Sequence, residues 1–141
     1  MTGNTCMTRI TRMTRMMTEG IVSMGTIHIQ RSAEAVVRLE GGCAFRRILP
    51  WQQPGPSTTG MGTCAVAPGE ATVADSHADY EHFYVIRGSG HAVVDGDRVE
   101  IGTGDALVVD AHQVHHFENS SSTDELELLS VWSPEPFGQF A

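Results

Sequence analysis

The sequence predicts an all-β domain, an antiparallel sandwich or barrel. Three observations point there. From about Gly25 onward, short runs of β-branched, aliphatic and aromatic residues are punctuated by glycine. Turn dipeptides recur at hairpin spacing, and no stretch of twelve residues carries a helical apolar period. The 141 residues suffice for one hydrophobic core, and 40% hydrophobic with 18% charged residues is the composition of a folded domain.

Taken in order, residues 1–24 form a low-complexity Met/Thr/Arg tract. It reads as a disordered tail, as an Arg-rich presequence, or as an extension ahead of a start at Met17 or Met24. The domain is expected over residues 25–141. Candidate strands are Thr26–Gln30, Ala44–Leu49, Gly62–Ala67, His82–Ile86, His91–Val94, Arg98–Ile101, Ala106–Val109, His115–Glu118 and Leu126–Trp132. Ser32–Glu40 is the one segment that could hold a short helix. Gln52–Gly60, rich in proline and glycine, reads as a loop, and Asn119–Asp124 as a polar turn. Val94-Asp95-Gly96-Asp97 predicts a type I′ hairpin, because both central residues must accept positive φ. Gly102-Thr103-Gly104-Asp105 makes the next turn.

Composition excludes several functions. The chain has no lysine, which rules out a Schiff-base amine and a P-loop. Its formal charge is −8, unfavourable for nucleic acid. The charge is divided unevenly: residues 61–141 hold only Arg87 and Arg98 against fourteen acids. No segment is apolar enough for a signal peptide or membrane span, so a cytoplasmic protein is expected. Three cysteines, Cys6, Cys43 and Cys64, form an odd set without CxxC spacing, which argues against a disulfide framework.

Six of the seven histidines lie between His77 and His116, among acids, as a divalent cation site requires. Two patterns order them: Gly69-x5-Asp75-x-His77-x3-Glu81-x6-Gly88, then Gly104-x10-His115-x3-Asn119. These resemble the two conserved motifs of the cupin superfamily over about Gly62 to Asn119. Gly69, His77, Glu81, Gly88, Gly104, His115 and Asn119 fall in register. Asp75 stands where the first histidine usually does, Asp110 replaces a proline, and His112 replaces a glycine. The resemblance implies a jelly-roll barrel with a metal inside and a homodimer paired through an edge strand.

The residues support a metal site independently. His77 and Glu81 are an even number apart, so a regular strand puts both on one face. With His115 from a facing strand they form two imidazoles and one carboxylate, the facial triad of non-haem Fe(II). The resemblance implies a fourth ligand, and Asp75 is expected to fill that place or to act as a general base. Fe(II) leads, with Mn(II), Ni(II) and Zn(II) compatible with the same donors.

His82 and His116 each adjoin a ligand, so alternation points them away, while His112 precedes His115 in a turn near the cavity mouth. Trp51, Tyr84, Phe117 and Trp132 are expected to pack, and Phe83 to line the cavity. Cys43 and Cys64 fit buried structural positions near the site. Arg46 and Arg47 either clamp an anionic substrate or lie on a surface strand. A site of this kind serves a small-molecule substrate. The expected function is a non-haem Fe(II) dioxygenase or oxygenase. The alternatives are a redox-neutral isomerase, lyase or cyclase, and a non-catalytic ligand-binding domain. Asp75-Ser76-His77-Ala78-Asp79-Tyr80-Glu81, with Arg47-Ile48-Leu49-Pro50-Trp51, is also similar to cupin domains of enzymes that join two nitrogens.

Overall fold

A computed structural model of the chain describes residues 29, 31, 34–49 and 59–134. Within them lie nine strands: β1 (Val37–Glu40), β2 (Cys43–Leu49), β3 (Gly60–Val66), β4 (Tyr80–Arg87), β5 (Ser89–Val94), β6 (Asp97–Gly102), β7 (Ala106–Val109), β8 (His115–Glu118) and β9 (Leu126–Ser133). There is no α-helix among the described residues, nor any helix long and apolar enough to cross a membrane. The tract 1–24 lies outside them, as do Trp51 and, Ile29 apart, the strand expected at Thr26–Gln30. So does most of the loop expected at Gln52–Gly60, whose last residue opens β3.

Every pairing is antiparallel. One sheet runs β1-β2-β3-β9-β4-β7 and the other β6-β5-β8. The sheets face one another as a jelly roll without closing into a continuous barrel. Alternation along each strand directs the apolar set inward: β3 and β9 read as alternating buried and half-buried positions. Val66, Val85, Val109, Leu126 and Leu128 are fully buried and meet Ala92, Ile101 and Phe117 of the smaller sheet in one core. The expected Asp95-Gly96 hairpin forms, with φ of 49° and 91° at its two central residues.

Two expectations are overturned. Val37–Glu40 is a strand rather than the end of a short helix. The cause is the next dipeptide: Gly41 and Gly42 have φ of 57° and 82°, and this two-residue turn folds Glu40 onto Cys43. Hairpin pairing to β2 outweighs weak local helix propensity. The second concerns the cysteines. Cys43 and Cys64 form a disulfide, with Cα atoms 5.8 Å apart. In the β2–β3 register Phe45 faces Cys64, which sets Cys43 diagonally across on the same inward face. An odd count excludes complete pairing, not a single pair.

Candidate metal centre

His77, Glu81 and His115 converge, and their ligand atoms all lie within 4.8 Å of one another. Three separate pieces of chain deliver them. His115 opens β8 and is 6% exposed. Glu81 is the second residue of β4, held opposite Trp132 of β9 and Val109 of β7. His77 precedes β4, and a bend at Ala78–Asp79 lies between it and Glu81. The four-residue spacing thus works through that bend, not through strand parity. The bend is tied at both ends: His112 N–H donates to the His77 carbonyl at 2.7 Å, and the His77 ring contacts the Asp79 carbonyl.

The imidazoles are oriented from behind. Nδ1 of His77 lies 3.0 Å from the Asp79 carbonyl oxygen, and Nδ1 of His115 lies 3.1 Å from that of Gln113. A carbonyl only accepts, so each Nδ1 carries the proton and each Nε2 faces the centre, as metal-binding histidines are commonly held. There His77 Nε2 lies 2.9 Å and His115 Nε2 3.3 Å from Glu81 Oε2. Two donors bound at about 2.1 Å and a right angle apart are themselves separated by about 3.0 Å. The donor set therefore fits a divalent cation of the Fe(II), Mn(II), Ni(II) or Zn(II) kind, in both chemistry and spacing.

Ser130, 2% exposed on β9, donates its hydroxyl to Glu81 Oε1. Sequence reasoning missed it. Its signal was a polar residue at an inward position of β9, between Leu128 and Trp132. Ser130→Ala should weaken metal binding by about 10- to 100-fold, the usual cost of losing such an outer hydrogen bond. Titration of the metal-free variant, with a far-ultraviolet spectrum matching wild type, checks this.

Burial acts to raise the Glu81 carboxyl, but hydrogen bonds from His115 and Ser130, with the charges of both histidines, hold it below its ordinary 4.5. Burial acts to lower His115, yet the bonds to Glu81 and the Gln113 carbonyl and the charges of Glu81 and Asp75 lift it above 6.5. A histidine raised by folding adds stability below 6.5 and loses it as pH rises through its folded value. A carboxylate lowered by folding adds stability above 4.5 and loses it as pH falls through its folded value. Both contributions coexist between pH 4.5 and 6.5. Thermal melts of metal-free protein should show the pair's contribution greatest in that window. Metal replaces the His115 proton, so metal affinity should fall as pH drops through the raised His115 value.

Asp75 lies outside the three-residue group but lines the same cavity, bridged to His115 by backbone hydrogen bonds of 3.0 and 2.9 Å. Its Oδ1 accepts from Ser76 N–H at 2.7 Å. His116 contacts Glu118 at 3.5 Å. Phe83 lines the cavity, edge-on to Phe117 at 4.6 Å and tilted on His115 at 5.9 Å. Tyr84 is exposed, whereas Trp132, expected only to pack, lines the cavity beside Phe45 and Arg47. The buried Asn119 amide spans the Val66 and Asp124 carbonyls and pins the turn before β9.

His112 has φ of 69°, so the position reads as one suited to glycine. Holding a non-glycine residue there costs about 1–2 kcal/mol, partly offset by glycine's freer unfolded chain. His112→Gly is thus expected to raise the melting temperature slightly, and a β-branched His112→Val to lower it.

The cavity over the three candidate ligands has a volume of about 460 Å³. A second cavity of about 600 Å³, among β5, β6 and β7, has acids but neither histidine nor cysteine in its lining. The candidate metal-binding group therefore lies in the smaller one.

Comparison with known proteins agrees with this architecture. Residues 62–132 match the family described as "Cupin domain". A cupin 2 conserved barrel domain protein from Salinispora arenicola superimposes with a TM-score of 0.67 at 24% identity, over 77% of this chain and 90% of that one. The polyketide cyclase RemF from Streptomyces resistomycificus gives 0.65 at 20%, over 78% and 81%. A predicted oxalate decarboxylase from Thermotoga maritima gives 0.63 at 21%, over 75% and 98%. At these identities the likeness is one of fold.

Proposed function

This chain belongs to the cupin domain family, and from that premise we propose that it is a metal-dependent enzyme of small metabolites, a non-haem Fe(II) dioxygenase or oxygenase. The observation that carries the reading is the His77–Glu81–His115 group at the wall of a cavity of single-ligand size. When bound, Fe(II) supplies Lewis-acid polarisation and one-electron chemistry toward dioxygen. His77, Glu81 and His115 hold it, and Ser130 holds Glu81. Phe83 and Phe117 exclude water from one side. Asp75 keeps Oδ1 on the Ser76 N–H and offers Oδ2 to a substrate proton.

A redox-neutral isomerase, lyase or cyclase is the second reading. Asp75, exposed on the cavity wall as a base, favours it, and two of the similar structures are described as a cyclase and a predicted decarboxylase. Oxygen uptake separates the two. Protein loaded anaerobically with Fe(II), then given oxygen and a panel of small hydroxy and oxo acids, should consume oxygen above the enzyme-free rate with at least one of them. If the purified chain carries only zinc and no compound triggers uptake, the oxygenase reading fails. A ligand that raises the melting temperature without turnover would instead mark a binding domain.

The proposed assembly is a homodimer through β1. This edge strand exposes Val37 and Leu39, the latter 90% accessible, and pairs only with β2 among the described residues. Sedimentation equilibrium should give twice the chain mass, and Leu39→Lys should shift it toward one.

A further inference from the structure

The face of β2 that carries Cys43 and Phe45 also carries Arg47, an exposed arginine that no carboxylate among the described residues holds. Arg87 pairs with Glu125 and Glu127, and Arg98 with Glu118. The Arg47 side chain has no ion pair or hydrogen bond with any described residue, yet it lines the cavity of the candidate metal group. Its guanidinium carbon lies 5.4 Å from the Trp132 ring centre and 5.8 Å from that of Phe45. The two rings are themselves tilted together at 6.2 Å. An arginine over two rings is positioned without its N–H groups being consumed.

Two glycines make room for this arrangement. A Cβ on Gly60 would fall 2.0 Å from the Trp132 ring, and one on Gly62 would fall 2.5 Å from Phe45. Glycine at both positions lets the rings lie down over β3 as an aromatic floor. The register then sets the span. Arg47 faces Gly62, Gly62 faces Ser130, and Ser130 is the residue that holds Glu81. Two strand spacings, about 10 Å, separate the Arg47 and Ser130 backbones, and the position between them carries no side chain.

The geometry points to an anion subsite: Arg47 binds the carboxylate of a small planar organic acid, whose flat body lies on Phe45 and Trp132 and whose far end reaches the metal-binding group. This rests on the small-molecule reading of the same cavity and adds the substrate class. A guanidinium fork matches a carboxylate with two parallel N–H···O bonds, and aromatic faces favour a flat partner. Glu40, Asp75 and Asp79 also line the cavity and repel an anion, so the acid group has one favourable end. That fixes its orientation as well as its charge.

The test uses the full chain, metal-loaded and chelator-treated, with metal content measured on each sample. The probes are 4-hydroxybenzoate and its uncharged counterpart 4-hydroxybenzamide. Wild type should bind the acid at least tenfold more tightly than the amide. Arg47→Gln should weaken the acid by about 10- to 100-fold, as loss of a charged hydrogen-bond pair does, and leave the amide and the metal content unchanged. Arg47→Lys should fall between, keeping the charge and losing the fork. The Arg47 dependence should persist without metal. A chain that holds no metal yet keeps that dependence would defeat the proposed function and support the subsite. Equal affinities for acid and amide, no effect of Arg47→Gln, or no binding of the acid to wild type would each overturn the subsite, whatever the metal content.

Discussion

Glu81→Ala is expected to cost the site its metal and all metal-dependent turnover. Glu81 supplies the only carboxylate of the three-residue group, and its Oε2 is the point on which both histidines converge at 2.9 and 3.3 Å. Apparent binding energies of about 10–16 kcal/mol for four-ligand metal sites imply roughly 2.5–4 kcal/mol per ligand. That is two to three decades in affinity. Without the carboxylate, His115 also loses the hydrogen bond and charge that lift its pKa, so its titration should move down. Isothermal titration with Mn(II) or Zn(II) measures the affinity, and proton NMR of the His115 ring follows the second effect. Glu81→Gln, which keeps the shape, should lose nearly as much affinity. A Glu81→Ala chain with unchanged affinity would place the metal elsewhere.

The largest expected effect on stability is at the centre of the core. Leu128 is fully buried on β9, between Cys64 on β3 and Val85 on β4. β9 joins those two strands, so a void there loosens the strand that carries Ser130 and Trp132 as well as the one that carries Glu81. Leu128→Ala should destabilise by about 2–5 kcal/mol, the range for removing a buried leucine from a packed interior. For a domain of this size that lowers the melting temperature by roughly 10–20 °C. Thermal melts of metal-free protein read it directly. A shift of only a degree or two would mean that β9 is not central to the core. Added metal should recover part of the loss by mass action, since only the folded chain gathers all three ligands.

Much of the fold and of the candidate site was legible because each signal was local and chemically particular. Ala106–Val109 and His115–Glu118 coincide with β7 and β8, and the Asp95-Gly96 turn needed only a two-residue rule. His77, Glu81 and His115 stood out because imidazole and carboxylate in fixed order have few bland explanations. What could not be read depends on contacts between distant strands. β1 lies in a segment that could locally hold a short helix, and its pairing, not its own residues, makes it a strand. The Cys43–Cys64 link rests on the β2–β3 register, and an odd cysteine count carried no hint of that. Ser130 and the aromatic floor became visible only when β9 lay between β3 and β4. Even the His77–Glu81 relation, correct as a pairing, arises from a bend that strand parity does not describe.

Metal content of the purified chain, measured beside His115→Ala, tests the central claim most directly. His115 is the most buried of the three candidate ligands, and its ring is fixed by Gln113, so its loss opens the group without disturbing the bend at Ala78–Asp79. Close to one divalent ion per wild-type chain is expected, with a large loss in the variant and the fold retained. A wild-type chain that stays metal-free after incubation with Fe(II), Mn(II), Ni(II) and Zn(II), or a variant that keeps its full complement, would contradict it.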